Sequence, residues 1–177
     1  MGDALATWYE ARVCYNNSAA VTPAGGRPTL ASYAISEICA QAIYDHGEEA
    51  AAAVLASQNS EAVEKIVEAN TLLSGIGFES GGLAMAHPLA LAYTRIDRVH
   101  DTYLHGEIVA ISTVAQLFLE QSSDLEKATR FFARVGLPVH LGQLSMSPDD
   151  STELDILAEV TLANPSVRHM PVTISQD

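Results

Sequence analysis

Apolar residues recur at intervals of three and four along most of this chain, the spacing of helices with one buried face. Leu5, Trp8, Tyr9 and Val13 share such a face in a helix predicted from Asp3 to about Ala20. Pro23-Ala24-Gly25-Gly26-Arg27-Pro28 breaks the pattern. An Ala-rich helix is predicted from Leu30 through Ala56, interrupted near Asp45-His46-Gly47, because glycine commonly ends a helix. Ser60 reads as a cap with Glu61 in the first turn, ahead of Val63, Ile66, Val67 and Leu73 on one face. Gly75 and Gly77 are expected to loosen the chain, and Gly81-Gly82 to lead into a helix carrying His87. Nearly every residue from Glu107 to Leu119 is apolar, which predicts a buried central helix. Leu125, Ala128, Phe131 and Phe132 form another face, stopped by Gly136 and Pro138. Ser147-Pro148-Asp149-Asp150 opens a last helix through Leu154, Leu157, Ala158 and Thr161. No period-2 strand and no internal repeat is visible. The expectation is an all-α helical bundle, one domain over residues 1–177.

Composition narrows what such a bundle can do. A chain of 177 residues that is 48% hydrophobic can bury a sizeable core. Nine basic residues against 22 acidic ones give a net charge of −13. That leaves no basic footprint for nucleic acid. No apolar stretch approaches the ~20 residues that span a bilayer. Met1-Gly2-Asp3-Ala4 lacks the basic and apolar regions of a signal peptide, so the expected compartment is the cytoplasm. Cys14 and Cys39 form no Cys-x-x-Cys pair and are too few for a disulfide framework. They read as buried core thiols.

His87, His105 and Asp3 are the residues with chemistry to offer. Two imidazoles and a carboxylate are what a catalytic zinc site needs: three protein ligands and a fourth position left for substrate. Each also has a structural reading. His87 suits a core position on an apolar helix, and His105, before Gly106-Glu107, suits a helix start. Asp3 suits a helix N-terminus, where the macrodipole favours negative charge. Phe78 can line a pocket or pack in the core. Glu10, Glu79 and Glu107 are able to orient a ligand imidazole, and Glu107 is the preferred choice among them. His46 and His140 read as structural or solvated. Gly75-x-Gly77 is not a dinucleotide-binding fingerprint, because its third glycine is displaced and no strand precedes it. Its glycines are expected to allow a turn and close helix approach.

Three phrases carry a resemblance. Gly2-Asp3-Ala4-Leu5-Ala6-Thr7-Trp8-Tyr9-Glu10-Ala11 is the first. The run from Glu68-Ala69-Asn70-Thr71 to Gly77-Phe78-Glu79-Ser80-Gly81-Gly82 is the second, and Tyr103-Leu104-His105-Gly106-Glu107 the third. Together they resemble the zinc-dependent glycerol dehydrogenases of the iron-containing alcohol dehydrogenase superfamily. Weaker similarity, including Val135-Gly136-Leu137-Pro138 and Met170-Pro171, runs through most of the rest. The resemblance implies that Asp3, His87 and His105 correspond to the zinc ligands, and Phe78 to an aromatic lining the substrate pocket beside the nicotinamide. It further implies glycerol or a similar vicinal diol as substrate, NAD as hydride acceptor, and a homo-oligomer when complete. The sequence would be the family's metal-binding domain, lacking the N-terminal nucleotide-binding domain and clipped at its C-terminus. His169 lies one position from a histidine of the family's tail.

Departures from the family pattern gather around the pocket. Members carry a second histidine three residues after the first ligand, then Asn-Gly; here Ala90, Leu91 and Ala92 occupy those positions. Pro88 directly follows His87, Ile108 stands where a lysine is usual, and Val99-His100-Asp101-Thr102 lacks an adjacent histidine pair. The expected function is the metal- and substrate-binding part of an NAD-dependent glycerol dehydrogenase that yields dihydroxyacetone. A related zinc-dependent dehydrogenase of another polyol or alcohol is one alternative. A non-catalytic helical fragment that binds metal or associates with other subunits is another. A dehydroquinate synthase-like reaction is disfavoured, since nine Lys and Arg, none clustered near the motifs, provide no phosphate site.

Overall fold

A computed structural model describes residues 1–175. Among the described residues there are nine α-helices and no strand, as the periodicity predicts. Helix α1 (Gly2–Asn16) and α2 (Leu30–Leu55) pack together, and α3 (Glu61–Glu68) leans on α2. A π-helical segment, Ala69–Leu73, joins α3 to α4 (Ser74–Gly81), which lies against both α1 and α2. The other half holds α5 (Ala86–Tyr93), α6 (Asp97–Thr102), α7 (His105–Leu119), α8 (Leu125–Arg134) and α9 (Ser151–Ala163). Short 3-10 turns at Leu141–Leu144 and Pro165–His169 complete the chain. Helix α1 contacts α7, α7 contacts α5, and α5 contacts α9, so α1 and α7 form the spine between the two halves.

The caps follow the polar residues. Thr29 accepts from the Ser32 N–H while Ser32 accepts in return from the Thr29 N–H, a reciprocal cap that starts α2. Ser60 accepts from the Val63 N–H, and Asp150 from the Glu153 N–H, opening α3 and α9. Helix α1 ends at Asn16, earlier than its apolar pattern suggests. Asn17 turns extended there, its side chain accepting from Ala19 and donating to the His169 carbonyl in place of helical bonding.

Glycines account for the other differences. Helix α2 is continuous through Asp45-His46-Gly47. A Cβ on Gly47 would lie 2.7 Å from the Phe131 ring, so this glycine admits α8 rather than ending the helix. The chain is likewise helical, not loosened, across Gly75 and Gly77. A Cβ on Gly77 would meet Ser36 Oγ and Thr7 Cγ2, each at 2.6 Å, and one on Gly81 would meet Ala11 Cβ at 2.8 Å. These two glycines let α4 press against α1 and α2, the close approach expected of the cluster. Gly82, with φ of +98°, turns the chain out of α4.

Leu5, Tyr9, Ile43, Leu117 and Phe132 fill the core between α1, α2, α7 and α8. Ala90, Val99, Val109, Leu144 and Leu157 fill a second around α5, α7 and α9. Cys14 and Cys39 are free, buried thiols. Burial pushes the Cys14 thiol up to about 12, reinforced by Glu10, which makes it unreactive. Among the described residues, no helix is long and apolar enough to cross a membrane.

The glycine geometry makes opposite predictions for two positions two residues apart, on opposite sides of α4. Gly75 lies in α4 with open space where a Cβ would be. Gly75→Ala should therefore raise stability by about 0.5–1 kcal/mol through helix propensity and a less free unfolded chain. Gly77→Ala should lower it by about 1–3 kcal/mol through overpacking. Urea unfolding midpoints decide this, and shifts of the same sign would contradict it.

Candidate metal centre

Three helices deliver the three residues singled out by sequence. Asp3 lies in the first turn of α1, His87 in the first turn of α5, and His105 begins α7. One ligand atom from each lies within 4.8 Å of the other two. Glycine makes the approach of α1 to α7 possible: a Cβ on Gly2 would sit 2.2 Å from the Gly106 carbonyl oxygen. Backbone therefore rests on backbone beside Asp3 and His105.

The start of α5 raises a hydrogen-bonding problem. The first N–H groups of a helix have no partner within it. Here Ala84 and Ala86 are wholly buried and Met85 nearly so. Glu10 of α1 accepts from the N–H of Ala84 at 2.9 Å and of His87 at 3.2 Å. Gln116 of α7 accepts from Met85 at 3.1 Å and Ala86 at 2.9 Å. Pro88 has no N–H, and Leu89 makes the first bond back along the helix, to Met85. Every donor in the turn is accounted for. The proline that departs from the family pattern thus occupies a position where a missing donor is an advantage.

The same Glu10 carboxylate receives the His87 ring. Nδ1 of His87 donates to Glu10 Oε2, and Nε2 lies 3.0 Å from Asp3 Oδ1. His105 Nε2 lies 3.7 Å from the other Asp3 oxygen. Glu10 is thus the carboxylate that orients a histidine. The preferred Glu107 is not: it accepts from the Leu104 N–H at 2.7 Å, capping α7. Glu79 is exposed on α4. Nothing local singles out Glu10, because its histidine is 77 residues away.

A cavity of about 540 Å³ opens over the trio, with Phe78, Leu83, Pro88, Ala90 and Leu91 among its apolar walls. The Phe78 ring meets His87 edge to face, with centroids 5.0 Å apart. Ser74, Thr94 and Asn164 supply its other polar side chains. Thr94 donates to the Leu91 carbonyl and Asn164 accepts from the Ser166 N–H, so both are engaged locally. Ile108 is buried on α7 and Ala92 on α5, away from the cavity wall. His169 bonds the Leu83 carbonyl, and neither His46 nor His140 joins the site.

Protonation follows from this geometry. Burial by itself lowers the pKa of His87, but the charge of Glu10, hydrogen bonds to Asp3 and Glu10, and the charge of Asp3 carry it up to about 10. Burial tends to raise Asp3, yet the hydrogen bond and charge of His87 together with the charge of His105 hold it below the usual carboxylate range. The raised pKa of His87 stabilises the fold fully below about pH 6.5, and that contribution is lost as pH rises through about 10. The contribution of Asp3 runs the other way, present above pH 3.8 and lost as pH falls through its depressed value. Glu10→Gln keeps an acceptor for the backbone but removes the charge, so the His87 titration should move down toward the ordinary imidazole range. NMR of the ring protons in metal-free protein follows it directly, and an unmoved titration would remove Glu10 as the cause.

Known proteins bring a family to this geometry. No family model matches the chain. Glycerol dehydrogenase of Citrobacter freundii is 40% identical over 180 residues, covering 100% of this chain and 49% of that protein. A glycolaldehyde reductase of Halobacterium salinarum is 42% identical over 161 residues, covering 90% of this chain and 44% of that protein. The crystal structure of a probable glycerol dehydrogenase from Sinorhizobium meliloti superposes with a TM-score of 0.91 at 38% identity, over 98% of this chain and 49% of that one. The chain therefore spans about half the length of the relatives it matches. The likeness in sequence and in fold runs through nearly all of these residues, and over that length the chain is similar to the glycerol dehydrogenases, consistent with the C-terminal domain of that family.

Proposed function

We propose that Asp3, His87 and His105 hold a zinc ion, and that the chain is the metal- and substrate-binding part of an NAD-dependent glycerol dehydrogenase. The observation that carries this reading is the convergence of the three ligand atoms within 4.8 Å beneath the cavity. The donors fit the metal. One carboxylate oxygen and two imidazole nitrogens are the borderline set that zinc accepts, with a position left over for substrate. Glu10 fits as well, since a metal-binding histidine usually gives its other ring N–H to a carboxylate. When bound, zinc would supply Lewis acidity, favouring loss of a proton from a substrate hydroxyl ahead of hydride transfer to NAD⁺.

The chain's own residues would do the rest. By holding the Nδ1 proton, Glu10 leaves His87 Nε2 turned toward Asp3 and His105. Phe78, Leu83, Pro88 and Leu91 would keep water from the substrate's carbon skeleton. Glycerol, giving dihydroxyacetone, is the first substrate to consider, and the apolar Ala90 and Leu91 extend the choice to other vicinal diols. NAD⁺ would be bound by a nucleotide-binding domain outside these 177 residues. The complete enzyme is read as a cytoplasmic homo-oligomer.

Purified protein should take up one equivalent of zinc. His87→Ala and His105→Ala should each weaken binding beyond the roughly 10–100-fold expected for loss of an outer partner. With free zinc ~1,000-fold above its dissociation constant, mass action should add about 4 kcal/mol, a rise in Tm of roughly 8–16 °C. Because His87 titrates at about 10, zinc must displace a proton at pH 7.5. Calorimetry in buffers of different ionisation enthalpy should therefore register a proton released per metal bound. Full zinc uptake by either alanine variant at unchanged affinity would refute the assignment.

Joined to a relative's nucleotide-binding half, the chain should oxidise vicinal diols with NAD⁺ in a zinc-dependent way, since hydride transfer needs donor and acceptor carbons held about 3–3.5 Å apart. Asp3→Asn should slow the reaction strongly, a neutral amide being a poorer zinc ligand. A soluble, zinc-loaded fusion inactive on every diol tested would favour a non-catalytic role.

A further inference from the structure

We infer that Gln116 is a positioning residue of the metal centre, holding the stretch of backbone from which His87 projects; this rests on the zinc reading above. Gln116 lies in α7, eleven residues after His105, and its side chain is completely buried. Its amide uses its full bonding capacity. Oε1 accepts from Met85 and Ala86, while Nε2 donates to the Tyr9 carbonyl at 3.2 Å and to Glu120 Oε1 at 2.7 Å. Exchanging the amide oxygen and nitrogen would set an NH₂ group against two N–H donors and an oxygen against two acceptors. One orientation alone satisfies all four partners.

Those partners are the reason to assign more than packing. Tyr9 adjoins Glu10 on α1, and Met85 and Ala86 lead directly into His87 on α5. One side chain thus joins the three helices that carry Asp3, His87 and His105. Glu120 is itself held by Arg12 at 2.7 Å, so the amide has a fixed anchor behind it. Glu10 fixes the His87 ring, but it also bonds that residue's N–H, so its grip depends on where the backbone lies. Gln116 determines the path of the two preceding residues. Without its oxygen, two buried donors would have to move toward another partner, and the Nε2 of His87 would move with them.

Gln116→Met retains length and apolar bulk but removes all four bonds. It should lower zinc affinity about 10–100-fold, measured against a chromophoric chelator, and shift the visible absorption bands of the cobalt-loaded protein at saturation. Exchanging the pair, Gln116→Glu with Glu120→Gln, restores an acceptor for Met85 and Ala86 and a donor to bond it. That double variant should recover most of the affinity and the cobalt spectrum even where thermal stability stays below wild type, because the Arg12 pair is altered and the second carboxylate oxygen faces the Tyr9 carbonyl, which has lost its donor. In a His87→Ala background, Gln116→Met should leave the residual zinc affinity nearly unchanged. Wild-type affinity and spectrum in Gln116→Met, with only Tm reduced, would make the residue merely structural. An exchange pair that folds but recovers neither affinity nor spectrum would equally overturn the inference. A wild-type chain that binds no zinc would instead defeat the metal reading itself.

Discussion

Four backbone N–H groups at residues 84–87 face protein rather than water, and the arrangement of the molecule turns on how they are satisfied. Leaving a buried donor unpaired costs about 1–3 kcal/mol, so four such groups left unpaired would consume much of a domain's ordinary stability. Two side chains from different helices meet the demand, Glu10 from α1 and Gln116 from α7. The solution is exacting, because each side chain must be buried to reach its donors and must then be satisfied itself. Glu10 obtains that from the His87 ring, and Gln116 from Tyr9 and Glu120. A helix start is thereby locked to two neighbours, and a histidine is aimed as a consequence.

Small residues supply the distances over which such side chains can reach. Gly2 rests on the Gly106 carbonyl, Gly77 on Thr7 and Ser36, and Gly81 on Ala11. With α4 and α7 drawn in on α1, Asp3 and Glu10 lie on the side of α1 that faces His87. Buried charge is handled by the same geometry. Glu10 is wholly buried and needs a cation nearby, which a protonated His87 provides in the metal-free protein. Zinc would take over that role while His87 still donates its Nδ1–H to Glu10, so the two states can share one backbone.

The helices were largely legible from their apolar period, and the three convergent residues from the phrases around them. What could not be read was the meaning of individual glycines. Gly47, Gly75 and Gly77 carry the composition of breaks, yet all lie inside helices because neighbouring side chains occupy or leave free the space a Cβ would take. That depends on partners distant in sequence. Glu107 looked suited to orient a histidine because it follows His105 closely, but at that spacing its carboxylate reaches back to the Leu104 N–H and caps its own helix. Glu10 and Gln116 carry no local mark, since their partners lie 77 and 30 or more residues away. Helix α6 is too short for its period to register.

Exposure across the site rises in one direction, and this asymmetry ties the fold to the proposed chemistry. The Glu10 side chain is 0% exposed, His87 11%, Asp3 43% and His105 60%. Hydrogen bonding falls off along the same line: Glu10 accepts three bonds, whereas among the described residues His105 has only its 3.7 Å approach to Asp3. A metal held by these residues would be fixed from the buried side and reached from the cavity side. Rigidity where ligands must keep their geometry, and freedom where a substrate must enter, are opposing demands on one small site. Placing the histidine with the most constrained backbone innermost and the helix-start histidine at the rim meets both.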